Sequence, residues 1–205
     1  MGVDVLSIGL DPGMTTGLAI MKGNTSQKYS EGVWAVHVDQ IHVDLLAAEG
    51  RHTFDGGDAE GAHVTIGWWD RMSAAGIGLA MKVYEIGVAE SVVSGGPDRV
   101  IYVTMEDFIL RPAAGGSGSG GRGGAGGRDI VSPVAIGAAF WGQLRQMCDW
   151  KMQFSAPSQK ALMENEKLDR WFGDGKSGWR SGKPHGTDAL RHAVMGIRMG
   201  RAKGN

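Results

Sequence analysis

Four side chains stand where their types and spacing could do chemistry. Asp11 closes an apolar run (Val5, Leu6, Ile8, Leu10) and is followed at once by Pro12-Gly13. A carboxylate at the mouth of a buried strand, backed by a glycine turn and the hydroxyls of Thr15 and Thr16, suits a metal ion or phosphate oxygens. The same residues also spell an ordinary Asp-Pro-Gly hairpin turn. Glu106 and Asp107 interrupt a second apolar run near its C-terminal end. Neighbouring strand residues point to opposite faces, so only one of the two can face a site that Asp11 also lines. A charge inside a buried strand is unfavourable unless paired or bound to metal. The third cluster is His185-Gly186-Thr187-Asp188-Ala189-Leu190-Arg191-His192. His185 precedes Asp188 by three residues, so on a helix both can converge on one metal, and His192 lies one turn further along the same face. For His192 the spacing favours a structural or supporting role over a direct ligand.

The elements that must position these residues are legible in outline. Residues 3 to 11 read as a buried strand, and Leu18 to Met21 as its hairpin partner. Gly32 to Val38 reads as a third strand, which completes an antiparallel meander. Residues 47–63 are polar and glycine-broken and read as a surface loop; their histidines and aspartates match no metal-binding spacing. Trp69, Met72, Gly76, Leu79, Val83 and Ile86 recur at threes and fours, one buried helical stripe, with Trp68 pointing partly off it. Gly95-Gly96-Pro97-Asp98 stops that helix, and Arg99 to Leu110 is the next strand.

A glycine-rich stretch follows from Ala113 to Gly127, carrying Arg122, with Arg128 just beyond it. Its literal G-x-G-x-x-G arises from glycine density, so it reads as a mobile loop with arginines available to phosphate, or as an inert linker. Helical periodicity resumes over residues 130–150, and Met152 to Phe154 is a short strand. Ser155-Ala156-Pro157-Ser158 reads as the start of a helix carrying Lys160. Residues 173–184, with Trp179, Arg180 and Lys183, form a basic loop of the kind that touches nucleic acid. A final helix opens near His185, with Asp188 in its first turn, where the helix dipole favours an anion.

At 205 residues the chain fits one domain with ample length for a core. The single cysteine, Cys148, excludes an internal disulfide framework. No apolar run approaches the roughly 20 residues of a membrane span, and the N-terminus lacks a signal pattern, so a cytoplasmic protein is expected. The net charge of −1 conceals an asymmetry. Residues 1–150 hold 10 Lys and Arg against 17 Asp and Glu, whereas residues 151–205 hold 11 against 5. A basic C-terminal third can supply phosphate contacts that whole-chain charge hides.

Asp-Pro-Gly after the first strand, a strand ending in Glu106, and His-x-x-Asp-Ala-Leu opening the last helix together resemble the RuvC family of Holliday-junction resolvases. The resemblance spans essentially the whole chain and is nearest to phage and bacterial RuvC-like proteins. It implies one RuvC-like nuclease domain over residues 1–205, with mobile loops at 47–63, 113–127 and 173–184. The fold implied is α/β, an RNase H-like mixed five-stranded sheet (an antiparallel three-strand meander plus parallel strands) flanked by helices. It implies Asp11, Glu106, His185 and Asp188 as the catalytic, metal-binding set. Two Mg²⁺ per site are implied, with Mn²⁺ able to substitute. His185 is there either a ligand or the group that positions the attacking water. The expected partner is branched DNA, met by a homodimer that nicks a four-way junction symmetrically, with Lys160, Arg122, Arg128, Arg180 and Lys183 as DNA contacts. No membrane and no small-molecule cofactor is expected. One departure stands out: family members carry a base-stacking aromatic three residues after the strand glutamate, where this chain has Ile109, with Phe108 one earlier. Nucleases of the same fold acting on forks, flaps or RNA share these motifs. The actin/Hsp70 ATPases also begin with a similar first hairpin, but they need two duplicated halves, for which 205 residues leave no room.

Overall fold

The computed structural model describes residues 2–31, 33–54, 67–93, 99–107, 126–156, 162–173 and 180–202. Five strands form one mixed sheet in the order β3-β2-β1-β4-β5. β1 (Asp4–Asp11), β2 (Thr15–Asn24) and β3 (Ala35–His42) are the antiparallel meander. β4 (Val100–Glu106) and β5 (Lys151–Ser155) add parallel to β1. This is the α/β architecture, a mixed sheet between helices, that the sequence motifs imply.

Strand alternation builds two cores. Leu6, Ile8 and Leu10 of β1, with Ile101, Val103 and Met105 of β4, face one side, where α1 (Val43–Phe54), α2 (Trp68–Val93) and α3 (Gly126–Met147) cover them. The opposite faces of β1, β2 and β4 meet α5 (Pro184–Ala202), with α4 (Asn165–Phe172) and the short 3-10 helix Tyr29–Glu31 beside it. That second face is lined by small side chains. Ser7 donates its hydroxyl to the Ala193 carbonyl at 2.7 Å, and a Cβ on Gly9 would overlap the Ala189 carbonyl oxygen. α5 therefore lies almost directly on the backbone of β1. Its first turn sits at the C-terminal ends of the parallel strands, and Gly200, near its last turn, rests on Tyr102.

Several expectations need correction. Residues 47–54 belong to α1 rather than to a surface loop. Gly50 is no helix breaker, because it is where α1 crosses α2: a Cβ there would overlap the Ala74 carbonyl, and α1 buries Val43, Leu46 and Ala47. Residues 55–63 of that stretch lie outside the described ones. Trp69 is 62 % exposed, and it is Trp68 that packs on the core, so the buried stripe of α2 passes one residue earlier at its start. β3 runs later than expected, through Asp39 and Gln40, because an edge strand tolerates polar residues that an internal strand does not. Ser155 ends β5 rather than opening a helix; residues 157–161, including Lys160, lie outside the described ones. α3 starts at Gly126, inside the expected glycine loop, and α5 starts at Pro184, the last residue of the expected basic loop. A proline at the first helical position lacks only an N–H that would have no partner there anyway.

Candidate functional site

The ends of three neighbouring parallel strands define the site. β1 ends at Asp11, β4 at Glu106 and β5 at Ser155, and the register sets Leu10 against Met105 and Glu106 against Ser155. The three terminal side chains thus stand in a row beneath the first turns of α5. In open α/β sheets the carboxyl ends of the strands are the usual place for ligands, since strands end there together and helix starts converge on them. Of the two adjacent carboxylates at the end of β4, Glu106 is the one that faces Asp11. Asp107 continues the backbone pairing instead, donating its N–H to the Ser155 carbonyl at 2.9 Å.

α5 contributes from above. Asp11, Glu106 and His192 each place one donor atom within 4.8 Å of the others. Asp11 and His192 are buried, and the Glu106 side chain is 14 % exposed. His192 Nε2 lies 3.8 Å from Glu106 Oε2, while its Nδ1 lies 2.5 Å from Ser155 Oγ. His185 sits at the mouth of the site, with its side chain about half exposed (47 %), and its Nδ1 contacts Asp11 Oδ2 at 2.8 Å. The His185 backbone is fixed from the other side, because its N–H donates to Gln40 Oε1 at 2.8 Å.

Asp188 is placed differently. Its carboxylate pairs with Arg191 Nη1, and Arg191 is in turn held by the Met163 carbonyl at 2.8 Å and by Asn165 Oδ1 at 2.5 Å. It stands on the same helix face as His185 and His192 but outside the group of three donors. Thr16, read as a possible phosphate contact, braces the Pro12-Gly13 turn: its Oγ1 donates to the Gly13 carbonyl at 3.2 Å and is fully buried.

The expected DNA-contacting cations are scattered in fate. Arg180 makes a bidentate pair with Asp169, at 3.0 and 2.8 Å. Lys183 donates to the Val38 carbonyl at 2.8 Å and lies 3.8 Å from Asp39. Arg128 falls within the first turn of α3, and Arg122 and Lys160 lie outside the described residues, as do Phe108 and Ile109.

Two carboxylates and an imidazole, converging at strand ends and largely withdrawn from water, fit a divalent cation by the chemistry of the donor set: hard oxygens suit Mg²⁺ and Mn²⁺, and the nitrogen suits Mn²⁺ better. Sequence reading named Asp11 and Glu106 but gave His192 a supporting role and gave Ser155 none. The signal for His192 was its position two turns after His185 on one helix face. For Ser155 there was none, because strand registry is what carries it to the imidazole. No protein-family model matches the chain, and no curated protein matches it either.

Proposed function

We propose that the chain is a metal-dependent, structure-selective DNA endonuclease that resolves four-way junctions, acting as a homodimer that nicks two strands symmetrically. The observation that carries this reading is the row at the strand ends, where Asp11 and Glu106 on adjacent parallel strands converge with an imidazole from the final helix. His185, from the third of the motifs that resemble RuvC resolvases, reaches the same row through Asp11 Oδ2 at 2.8 Å.

Asp11 and Glu106 would hold the divalent metal, with Asp188, paired to Arg191 on α5, as the remaining carboxylate of the set. Bound there, Mg²⁺ or Mn²⁺ would supply Lewis acidity toward the phosphate and lower the pKa of water. The protein's own contribution begins with His185. Asp11 occupies its Nδ1, which leaves Nε2 as the ring atom able to take a proton from an attacking water. The water oxygen bonds to phosphorus as the bond to the 3′ oxygen breaks; the water's proton passes to His185, and the departing 3′ oxygen takes a proton from solvent. Gln40, gripping the His185 backbone from β3, keeps that imidazole at the rim. Its half-exposed position supports the water-positioning role over that of a buried ligand.

Incubating the protein with end-labelled four-way, forked, linear duplex and RNA substrates, with and without Mg²⁺, tests the reading. Paired nicks confined to the junction and dependent on the metal are expected. Equal cutting of forks or RNA would move the substrate elsewhere within the same chemistry, and no cutting of any substrate would overturn it.

A further inference from the structure

The most deeply buried side chain of the three, His192, faces two ways. Its Nδ1 meets Ser155 Oγ at 2.5 Å, and its Nε2 points among the Asp11 and Glu106 carboxylates. Which nitrogen carries the proton decides what the site can hold. The Ser155 hydroxyl has one proton and two groups in reach, the Met105 carbonyl at 3.4 Å and Nδ1 at 2.5 Å. When that proton turns to Met105, Ser155 Oγ offers His192 a lone pair and Nδ1 carries the ring proton. The lone pair of the neutral ring then lies on Nε2, directed at Glu106 Oε2 3.8 Å away, with a carboxylate oxygen of Asp11 also within 4.8 Å. In that tautomer three electron-rich atoms converge at the strand ends, an arrangement that a cation standing among them stabilises.

We infer that His192, through Nε2, is itself a ligand to a divalent metal together with Asp11 and Glu106, and that Ser155 is the positioning residue that fixes its tautomer. Metal-binding imidazoles are commonly oriented by a hydrogen bond to their second nitrogen, and here a serine on the neighbouring strand end provides it. Ser155, 1 % exposed, and His192, 1 % exposed, are locked by packing, so the ligand geometry is set before any metal arrives. A buried nitrogen donor in the site also sets metal preference: it favours Mn²⁺ over Mg²⁺, which binds nitrogen poorly. This site shares its carboxylates with the proposed nuclease but requires no DNA.

Two measurements test it without any cleavage assay. In metal-free protein carrying ¹⁵N-histidine, long-range ¹H–¹⁵N spectra should show His192 as the Nδ1–H tautomer, and added Zn²⁺, a diamagnetic probe, should shift its Nε2 resonance. In calorimetric titrations Mn²⁺ should bind at least tenfold more tightly than Mg²⁺. His192→Gln should weaken Mn²⁺ by a further tenfold or more, and Ser155→Ala by about 10- to 100-fold. Ser155→Thr, which keeps the hydroxyl, should restore much of the affinity that Ser155→Ala removes. The spectra need no variant, so a destabilised Ser155→Ala protein leaves the inference testable. An Nε2–H tautomer in the wild-type protein, or Mn²⁺ affinity unchanged in a folded His192→Gln protein, overturns it. Tight Mn²⁺ binding through His192 in a protein that cuts no DNA would instead overturn the nuclease reading and leave this site standing.

Discussion

At the scale of single residues, the site sorts its carboxylates by their partners. Asp11 and Glu106 face each other across adjacent strand ends, so Asp11→Asn and Glu106→Gln should each bring metal-dependent cleavage below detection while leaving junction binding intact. Near wild-type cutting by either variant in a single-turnover assay would remove that residue from the set. Asp188 stands apart because Arg191 holds it, and Arg191 also ties α5 to Met163 and Asn165. Asp188→Asn should therefore lower the rate by about 10- to 100-fold, the range for residues that support a metal site from behind, and should also lower thermal stability. Complete loss of cleavage with an unchanged melting temperature would make Asp188 a direct ligand. This is also where sequence reading stopped short. The apolar runs ending in Asp11 and Glu106 betray both carboxylates, since a charge inside a buried strand demands a reason. Nothing local betrays Ser155, whose meeting with His192 depends on the pairing of β4 with β5 and on where α5 crosses them.

At the scale of elements, the closeness of α5 to the sheet decides whether the site exists. Gly9 lets the helix backbone rest on β1 at Ala189, midway between His185 and His192. Gly9→Val would force α5 outward against rigid backbone rather than against a side chain that can rotate away. Overpacking of this kind is destabilising by about 1–3 kcal/mol or more. A urea denaturation midpoint within error of wild type would show that the helix does not need this contact. β1, β2 and β4 were readable as short continuous apolar runs, buried along most of their length, and α2 from apolar residues recurring at threes and fours. α1 was not, since its polar face and Gly50 look like a loop until α2 is packed on it. The 3-10 helix buries its first residue, Tyr29. Burial pushes the Tyr29 hydroxyl above its usual pKa, with nearby Arg201 and Arg198 opposing the shift only in part. The folded state thus holds this proton more tightly than the unfolded chain. The resulting stability is complete below about pH 10, the unfolded value, and is lost as pH rises through the folded one. The Tyr29→Phe protein should accordingly lose less of its melting temperature than wild type between about pH 9 and 11. Parallel losses would assign the alkaline decline to other groups.

At the scale of the whole molecule, the basic C-terminal third acquires a direction. Arg180, Lys183 and Arg191 are engaged with carboxylates and carbonyls of their own chain. Lys167, Arg198 and Arg201 pair with no carboxylate among the described residues: Lys167 and Arg198 lie over Trp171, and Arg201 lies over Tyr29 and donates to the Gln27 carbonyl at 3.4 Å. Sixteen residues of α5 separate His185 from Arg201, about 24 Å at the rise of an α-helix. That distance corresponds to about seven base pairs of duplex. If DNA reaches the strand-end site, an arm of it laid along α5 would bring backbone phosphates to these cations. The double variant Arg198→Ala/Arg201→Ala should then bind a four-way junction more weakly. Its plot of log affinity against log salt, between about 50 and 200 mM, should be shallower by about 0.9 for each phosphate that the missing guanidinium groups no longer neutralise. Anisotropy titrations of a labelled junction without catalytic metal read both quantities at once. Arms trimmed below seven base pairs should erase the difference between variant and wild type, since the phosphates would no longer reach the far end of the helix. An unchanged salt slope in the double variant would send the DNA along another face of the molecule.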